Sequence, residues 1–264
     1  MNIVVCIKQV PDTTEVKLNP ETGTLIREGV PSIINPDDKS GIEAALQIKD
    51  SIPGTHVTVL SMGLPQVDIA MREALAMGVD RTILLTDRQL GGADTWATSS
   101  SLAAALKKME YDLIICGRQA IDGDTAQVGP QIAEHLNIPQ VSYVEAIEDI
   151  NDKTITLKRQ FEDRYHLIEA KLPCLITTLS ELNEPRYMSV GGIFDAYREK
   201  EVEIWGLDEI KDTVDMGSIG LKGSPTRVAK SGTKEVKGKG EIFEVSPDEA
   251  VDIIIKSLSA KHII

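Results

Sequence analysis

Four short runs of β-branched and apolar residues, each followed by a stretch of helical periodicity, occupy the first half of the chain and leave it few folds. They span residues 2–10, 56–62, 81–86 and 111–117; the last, YDLIICG, is almost continuously apolar, as suits a strand covered on both faces. The helical stretches carry their own punctuation. Asn35-Pro36 offers an N-cap and a proline at the first helical position, Gly78 follows the alanine-rich segment 67–77, and Asp94 precedes the helix through SSLAAALKKM. Strand-then-helix units in series build parallel sheets, because a parallel neighbour is reached only by a crossover long enough to hold a helix. The expected fold class is α/β, a doubly wound and mostly parallel sheet.

Departures from that rhythm add an antiparallel extension and a long C-terminal arm. Turn chemistry at Pro20 to Gly23, between two alternating segments, predicts a β-hairpin over residues 15–29. After Pro139, VSYVEAIEDI, NDKTITLKRQF and RYHLIEAKL read as antiparallel strands, and LPCLITTL as a buried strand returning to the sheet. From residue 181 to about 244, Gly, Pro and charged residues dominate with little periodicity, the pattern of an arm docked on something else. Ser246-Pro247-Asp248-Glu249 is a capping box opening a last helix, with Val251, Ile254, Ile255 and Leu258 as its apolar positions. The expected division is an α/β domain over residues 1–199 and an arm with its helix over residues 200–264.

Composition narrows the partners. With 41 acidic and 28 basic residues the formal charge is −13, which repels polyphosphate backbones, and aromatic residues at 4% leave few platforms for stacking bases. Nucleic acid is not an expected partner. Cys6, Cys116 and Cys174 each lie within an apolar run and form no C-x-x-C pair, so this chain alone offers no iron–sulfur or structural zinc site of the usual spacing. No run approaches the roughly 18 apolar residues that cross a bilayer, and no basic segment precedes the first apolar stretch. A cytoplasmic protein without membrane insertion is expected.

In a doubly wound sheet the ligand crevice opens where strand order reverses, outside the carboxyl ends of the strands. If the strand order is 3-2-1-4-5, the loop after the fourth strand, GRQAIDGDTAQVGP over residues 117–130, faces the loop after the first. Gly123 and Gly129 let backbone approach a ligand, while Asp124 and Thr125 are placed to cap a helix starting near Ala126, whose free N–H groups would receive a phosphate without any lysine. Asp122 and Asp124 suit a cap, or acceptors for a ribose hydroxyl or an adenine amine. An ordinary capped turn fits the same residues. GGADTWATS repeats the logic, with Asp94, Thr95 and Thr98 at a helix start, and NPDDK over residues 35–39 reads more simply as capping. Neither glycine-rich loop matches G-x-G-x-x-G or G-x-x-x-x-G-K-[ST], the four histidines miss H-E-x-x-H spacing, and no G-x-S-x-G occurs. Ordinary dehydrogenases, P-loop kinases and the common hydrolases lose support.

The segments NIVVCIKQVPDT, INPDDKSGIEAAL, ALAMGVDR, GRQAIDGDTAQVGP and LPCLITTLSELNEPRYMSV together resemble the beta subunit of electron-transferring flavoproteins, in that family's order and over nearly the whole chain. The resemblance implies a heterodimer whose alpha subunit carries one FAD, with an adenine nucleotide in the crevice of the beta subunit. In the housekeeping branch that nucleotide is a structural AMP; in the electron-bifurcating branch it is a second FAD that takes hydride from NADH. Carried over by motif, the nucleotide-binding positions are Cys6, Asn35, Met62, Asp122, Gly123, Asp124, Thr125, Gln127, Val128 and Gly129, with Asp94, Thr95 and Thr98 added for FAD. The loop resembles the bifurcating form more than the housekeeping pattern GKQAIDDDxNQTG, and GGADTWATS resembles the extra anchor that FAD requires.

That branch implies no catalytic side chain in this chain, ferredoxin as low-potential acceptor, and an acyl-CoA dehydrogenase, acyl-CoA reductase or similar flavoenzyme as the other. By the same resemblance Asn183, Glu184, Pro185, Arg186, Tyr187, Val190 and Ile193 belong to the loop that recognises the dehydrogenase, with Val190 as apolar anchor, and residues 200–264 wrap the alpha subunit. Downstream of NEPRY the mixed charges of FDAYREKEVEIW depart from the housekeeping pattern. Two rival functions stay open on the residues: a housekeeping shuttle with AMP, and a stand-alone adenine-nucleotide sensor on the same sheet.

Overall fold

The computed structural model describes residues 1–12, 31–229, 238 and 240–264. Residues 1–230 form one compact unit and residues 231–264 a second. In the first unit the chain runs β1 (Asn2–Ile7), β2 (Gln9–Pro11), β3 (Ser32–Ile34), α1 (Pro36–Ser51), β4 (His56–Met62), α2 (Asp68–Met77), β5 (Arg81–Leu85), α3 (Thr95–Leu106), β6 (Leu113–Gly117) and α4 (Val128–Leu136). It continues through β7 (Gln140–Ile150), β8 (Thr154–Gln160), β9 (Tyr165–Lys171), β10 (Cys174–Thr178), α5 (Val190–Arg198), β11 (Val202–Trp205), α6 (Leu207–Ile210) and α7 (Gly220–Gly223).

Nine strands make one sheet in the order β11-β5-β4-β1-β6-β10-β7-β8-β9. Every pair from β11 to β7 is parallel, and β7, β8 and β9 continue as an antiparallel meander. Because successive strand residues point to opposite faces, β1 sends Ile3, Val5 and Ile7 into a core with α1 and α2, and Val4 and Cys6 into a second core with α3. Ile132 and Ala133 of α4 join that second core. This is the expected doubly wound α/β sheet with its antiparallel extension. All three cysteines are buried and unpaired, as their apolar neighbours suggested.

Two sequence expectations need revision or fall elsewhere. The hairpin expected over residues 15–29 lies outside the described residues, although β2 and β3 on either side of it pair antiparallel. The stretch expected to lack regular structure from residue 181 holds α5, packed on α2 through Ala196, and β11, which adds a parallel edge strand to β5. Arg81 fastens that edge with two bonds of 2.6 and 2.7 Å to Glu203, a half-exposed pair of modest worth. In compactness the first unit thus extends well past residue 199. The second unit holds α8 (Pro247–Ala260), opened by the expected Ser246 and Glu249 capping box, and its Val251, Ile254 and Ile255 are exposed.

Gly117 marks where packing tolerates no side chain: a Cβ there would overlap Asp38 Oδ1 and come within 2.9 Å of Asp37 Cβ. Gly191 in α5 has open space around it. Denaturant unfolding should therefore show Gly117→Ala destabilised by about 1–3 kcal/mol, while Gly191→Ala is neutral or stabilised by up to about 1 kcal/mol.

Candidate functional site

Strand order reverses at β1, with β4 on one side and β6 on the other, so a crevice opens beyond their carboxyl ends. The first turn of α1 organises it. Asp38 is buried, and its Oδ2 accepts the backbone N–H of Lys8 at 2.7 Å while its Oδ1 accepts that of Gly117 at 2.9 Å. One carboxylate thus holds the residues leaving β1 and ending β6. Asp37 does the same for β10: its Oδ1 accepts the Ser180 N–H at 3.0 Å and its carbonyl accepts the Thr178 hydroxyl at 3.0 Å. Burial pushes the Asp38 carboxyl up to about 7, against the lowering bonds from Lys8, Asn35 and Gly117. Asp37 is also raised by burial, opposed mainly by the Arg118 guanidinium.

Asn35 sits at the N-cap of α1, yet its side chain makes no cap bond. Instead its Nδ2 donates to the Gln119 carbonyl at 2.8 Å and its Oδ1 accepts the Ile121 N–H at 3.1 Å, which shapes the loop after β6. The Lys8 ammonium reaches Asp122 Oδ1 at 2.5 Å, so a lysine does stand in this crevice, neutralising a nearly covered carboxylate. The capping roles expected of Asp124 and Thr125 are not observed. Asp124 and Ala126 both take left-handed backbone (φ of 51° each), which delays α4 to Val128 behind an N-cap Gln127 that supplies no side-chain bond. Asp124 instead accepts from Gln119 Nε2 at 2.7 Å, and Thr125 is exposed. Gly123 has no neighbour within 4 Å of a notional Cβ, whereas at Gly129 that atom would lie 2.7 Å from Thr177 Cγ2. Gly129 therefore lets α4 close on the sheet and is not the open approach the sequence suggested.

Among the described residues the N–H groups of Val128 and Gly129 have no acceptor in the chain. Uncapped first-turn amides, joined by the helix dipole, form a donor set suited to a phosphate. Beside them the first turn of α3 is capped by Asp94, which accepts the Ala97 N–H at 3.0 Å and also binds the N–H and hydroxyl of Thr226. Thr95 Oγ1 donates to Gln127 Oε1 at 2.9 Å and so links α3 to the loop; Thr98 lies half-buried one turn on. Cys6, in register with Cys116, and Met62 close the same carboxyl edge from β1 and β4. Sequence reasoning missed Asp38 and Lys8: both partners of each contact are far apart in the chain, and the only local signal was two acids after Asn35-Pro36.

The segment after β10 divides into tethers and exposed apolar residues. Asn183 exchanges two hydrogen bonds with Ser40, and Arg186 grips Glu43 through Nε and Nη2 at 2.8 and 3.0 Å while also reaching Asp50. Pro185 is half-buried and Glu184 exposed. Next to these tethers Tyr187 is 97% and Val190 87% exposed, with Met188, Ile193 and Phe194 also presented to solvent. Among the described residues no cluster could hold a metal ion, and no helix is long and apolar enough to cross a membrane.

A family model described as "Electron transfer flavoprotein domain" matches residues 22–209. The chain is 58% identical over 264 residues, the full length of both, to the electron transfer flavoprotein subunit beta of Clostridium acetobutylicum. It is 55% identical over 266 residues to the caffeyl-CoA reductase-Etf complex subunit CarD of Acetobacterium woodii, across all of both chains. To the acryloyl-CoA reductase electron transfer subunit gamma of Anaerotignum propionicum it is 46% identical over 271 residues, again across all of both.

Asp38 holds its proton up to about pH 7 in the folded chain, against an ordinary value of 3.8. Between those values the folded state binds more protons than the unfolded, so stability falls as pH rises from about 4 to about 7. Thermal unfolding across that window should show the decline in the parent protein and a flatter profile in Asp38→Asn, which has no proton to lose.

Proposed function

The chain belongs to the electron transfer flavoprotein family, as a beta subunit, and we propose that its crevice holds FAD for NADH-linked electron bifurcation in a cytoplasmic heterodimer with an alpha subunit. Ferredoxin is the proposed low-potential acceptor, and an acyl-CoA dehydrogenase or reductase the other partner. The single observation that carries the reading is the uncapped start of α4, whose Val128 and Gly129 amides lie unpaired behind a loop held open by left-handed Asp124 and Ala126. Those residues fit a phosphate, and the adjacent first turn of α3, with the hydroxyls of Thr95 and Thr98, supports a longer ligand than AMP. The bound isoalloxazine would supply the redox chemistry that the side chains lack, by taking up electrons in pairs and releasing them singly.

The residues of this chain then bind and position. Asn35 and Lys8 order the loop, Gln127 and Thr95 join it to α3, and Cys6 and Met62 line the strand edge beneath. The relatives named for caffeyl-CoA reductase and acryloyl-CoA reductase complexes favour an acyl-CoA reductase as the terminal partner. Residues 183–193 suit its docking: Asn183 and Arg186 fix the backbone and leave Tyr187 and Val190 outward, a rigid base under apolar anchors. The exposed apolar positions of α8 and the chain from residue 200 onward are assigned to the alpha subunit.

Acid extraction of the purified alpha–beta pair should yield two FAD, and NADH should bleach the bound flavin in a visible titration. One FAD with one AMP, and no response to NADH, would support the housekeeping reading instead. Val190→Glu should weaken docking on the terminal flavoenzyme by about 10–100-fold, measured as its dissociation constant, with nucleotide content unchanged.

A further inference from the structure

We propose that Asp38 is the positioning residue that sets how firmly the crevice retains its nucleotide, by holding the ends of β1 and β6 at a fixed separation through the Lys8 and Gly117 amides. The inference rests on reading the crevice as an adenine-nucleotide site. Both walls hang from this one group. Gly117 begins the loop that leads to the α4 amides, and Lys8, whose backbone Asp38 holds, carries Asp122 of the same loop on its side chain. Asn35, at the N-cap of the same helix, holds Gln119 and Ile121 of that loop. A shift of the carboxylate is therefore delivered to both sides of the opening.

No cation is bonded to Asp38 among the described residues: the Lys8 ammonium is taken by Asp122, and Arg118 lies 3.4 Å from Asp37. The charged and titratable groups around it are Asp37 on α1, Lys8 beyond β1, Cys116 on β6, and Arg118 and Asp122 in the loop after β6. An ionised carboxylate accepts from both amides. A carboxylic acid keeps one carbonyl acceptor, while its hydroxyl oxygen is uncharged and accepts more weakly, so protonation loosens the hold on one strand end. Burial brings that change of state close to neutral pH.

The test follows loss of adenine nucleotide from the intact alpha–beta pair during dialysis, counted by extraction beyond the one FAD assigned to the alpha subunit. In the parent protein the loss should be about tenfold faster at about pH 6 than at about pH 8, the effect of one lost charge-assisted bond. Asp38→Asn places an amide hydrogen against one donor permanently, so it should lose nucleotide fast at both pH values, in preparations whose melting confirms folding. The same pH dependence in both proteins overturns the inference. So does a parent protein whose retention is flat or improves on acidification, and that arm alone decides the matter if the variant does not fold. A parent pair with no second nucleotide at about pH 8 overturns the reading of the crevice itself.

Discussion

Two consecutive carboxylates at the start of α1 decide how the central strands end. Parallel strands stop with backbone amides that no ladder partner satisfies, and where a ligand must enter, no covering backbone can be brought in. Asp37 and Asp38 supply acceptors from a helix start, the place where the dipole favours negative charge. Between them they hold Lys8, Gly117 and Ser180, the residues at the carboxyl ends of β1, β6 and β10. The arrangement has a cost in stability, since burial opposes ionisation of both groups, and a site that breaks the rule against buried charge is where such a cost is expected.

The chemistry facing the crevice is built from main chain more than from side chains. Left-handed backbone at Asp124 and Ala126 costs about 1 kcal/mol or more per residue, and what it achieves is a helix start whose first amides stay free. The side chains of the same loop look inward to the protein: Asp122 to Lys8, Asp124 to Gln119, Gln127 to Thr95. That division suits the proposed role of holding a redox group in place, because fixed dipoles need no reorganisation when charge on a ligand changes.

How much of this was legible in the sequence depended on the range of the interactions. The parallel strands could be read because YDLIICG and its counterparts are short apolar runs set apart by helix-length stretches, and Asp94 and Ser246 cap as local pattern requires. The edge strand β11 escaped notice because VEIW is four residues between charges and gains its identity only from β5. Asn35 has the local signature of a cap, yet its partners lie 84 and 86 residues away, and Lys8 and Asp122 are separated by 114. Asp124 and Thr125 likewise had the right chemistry for a cap; the backbone conformation that displaced the helix start leaves no mark in residue type.

The contact between Gly117 and Asp38 reaches beyond this one molecule. A side chain at position 117 and a carboxylate at position 38 compete for the same space, so neither site drifts independently of the other. Loss of the acid alone would not free position 117, because Asp37 Cβ and the Asp38 backbone nitrogen would still lie 2.9 Å from the added atom, so the glycine constrains its descendants more tightly than the acid does.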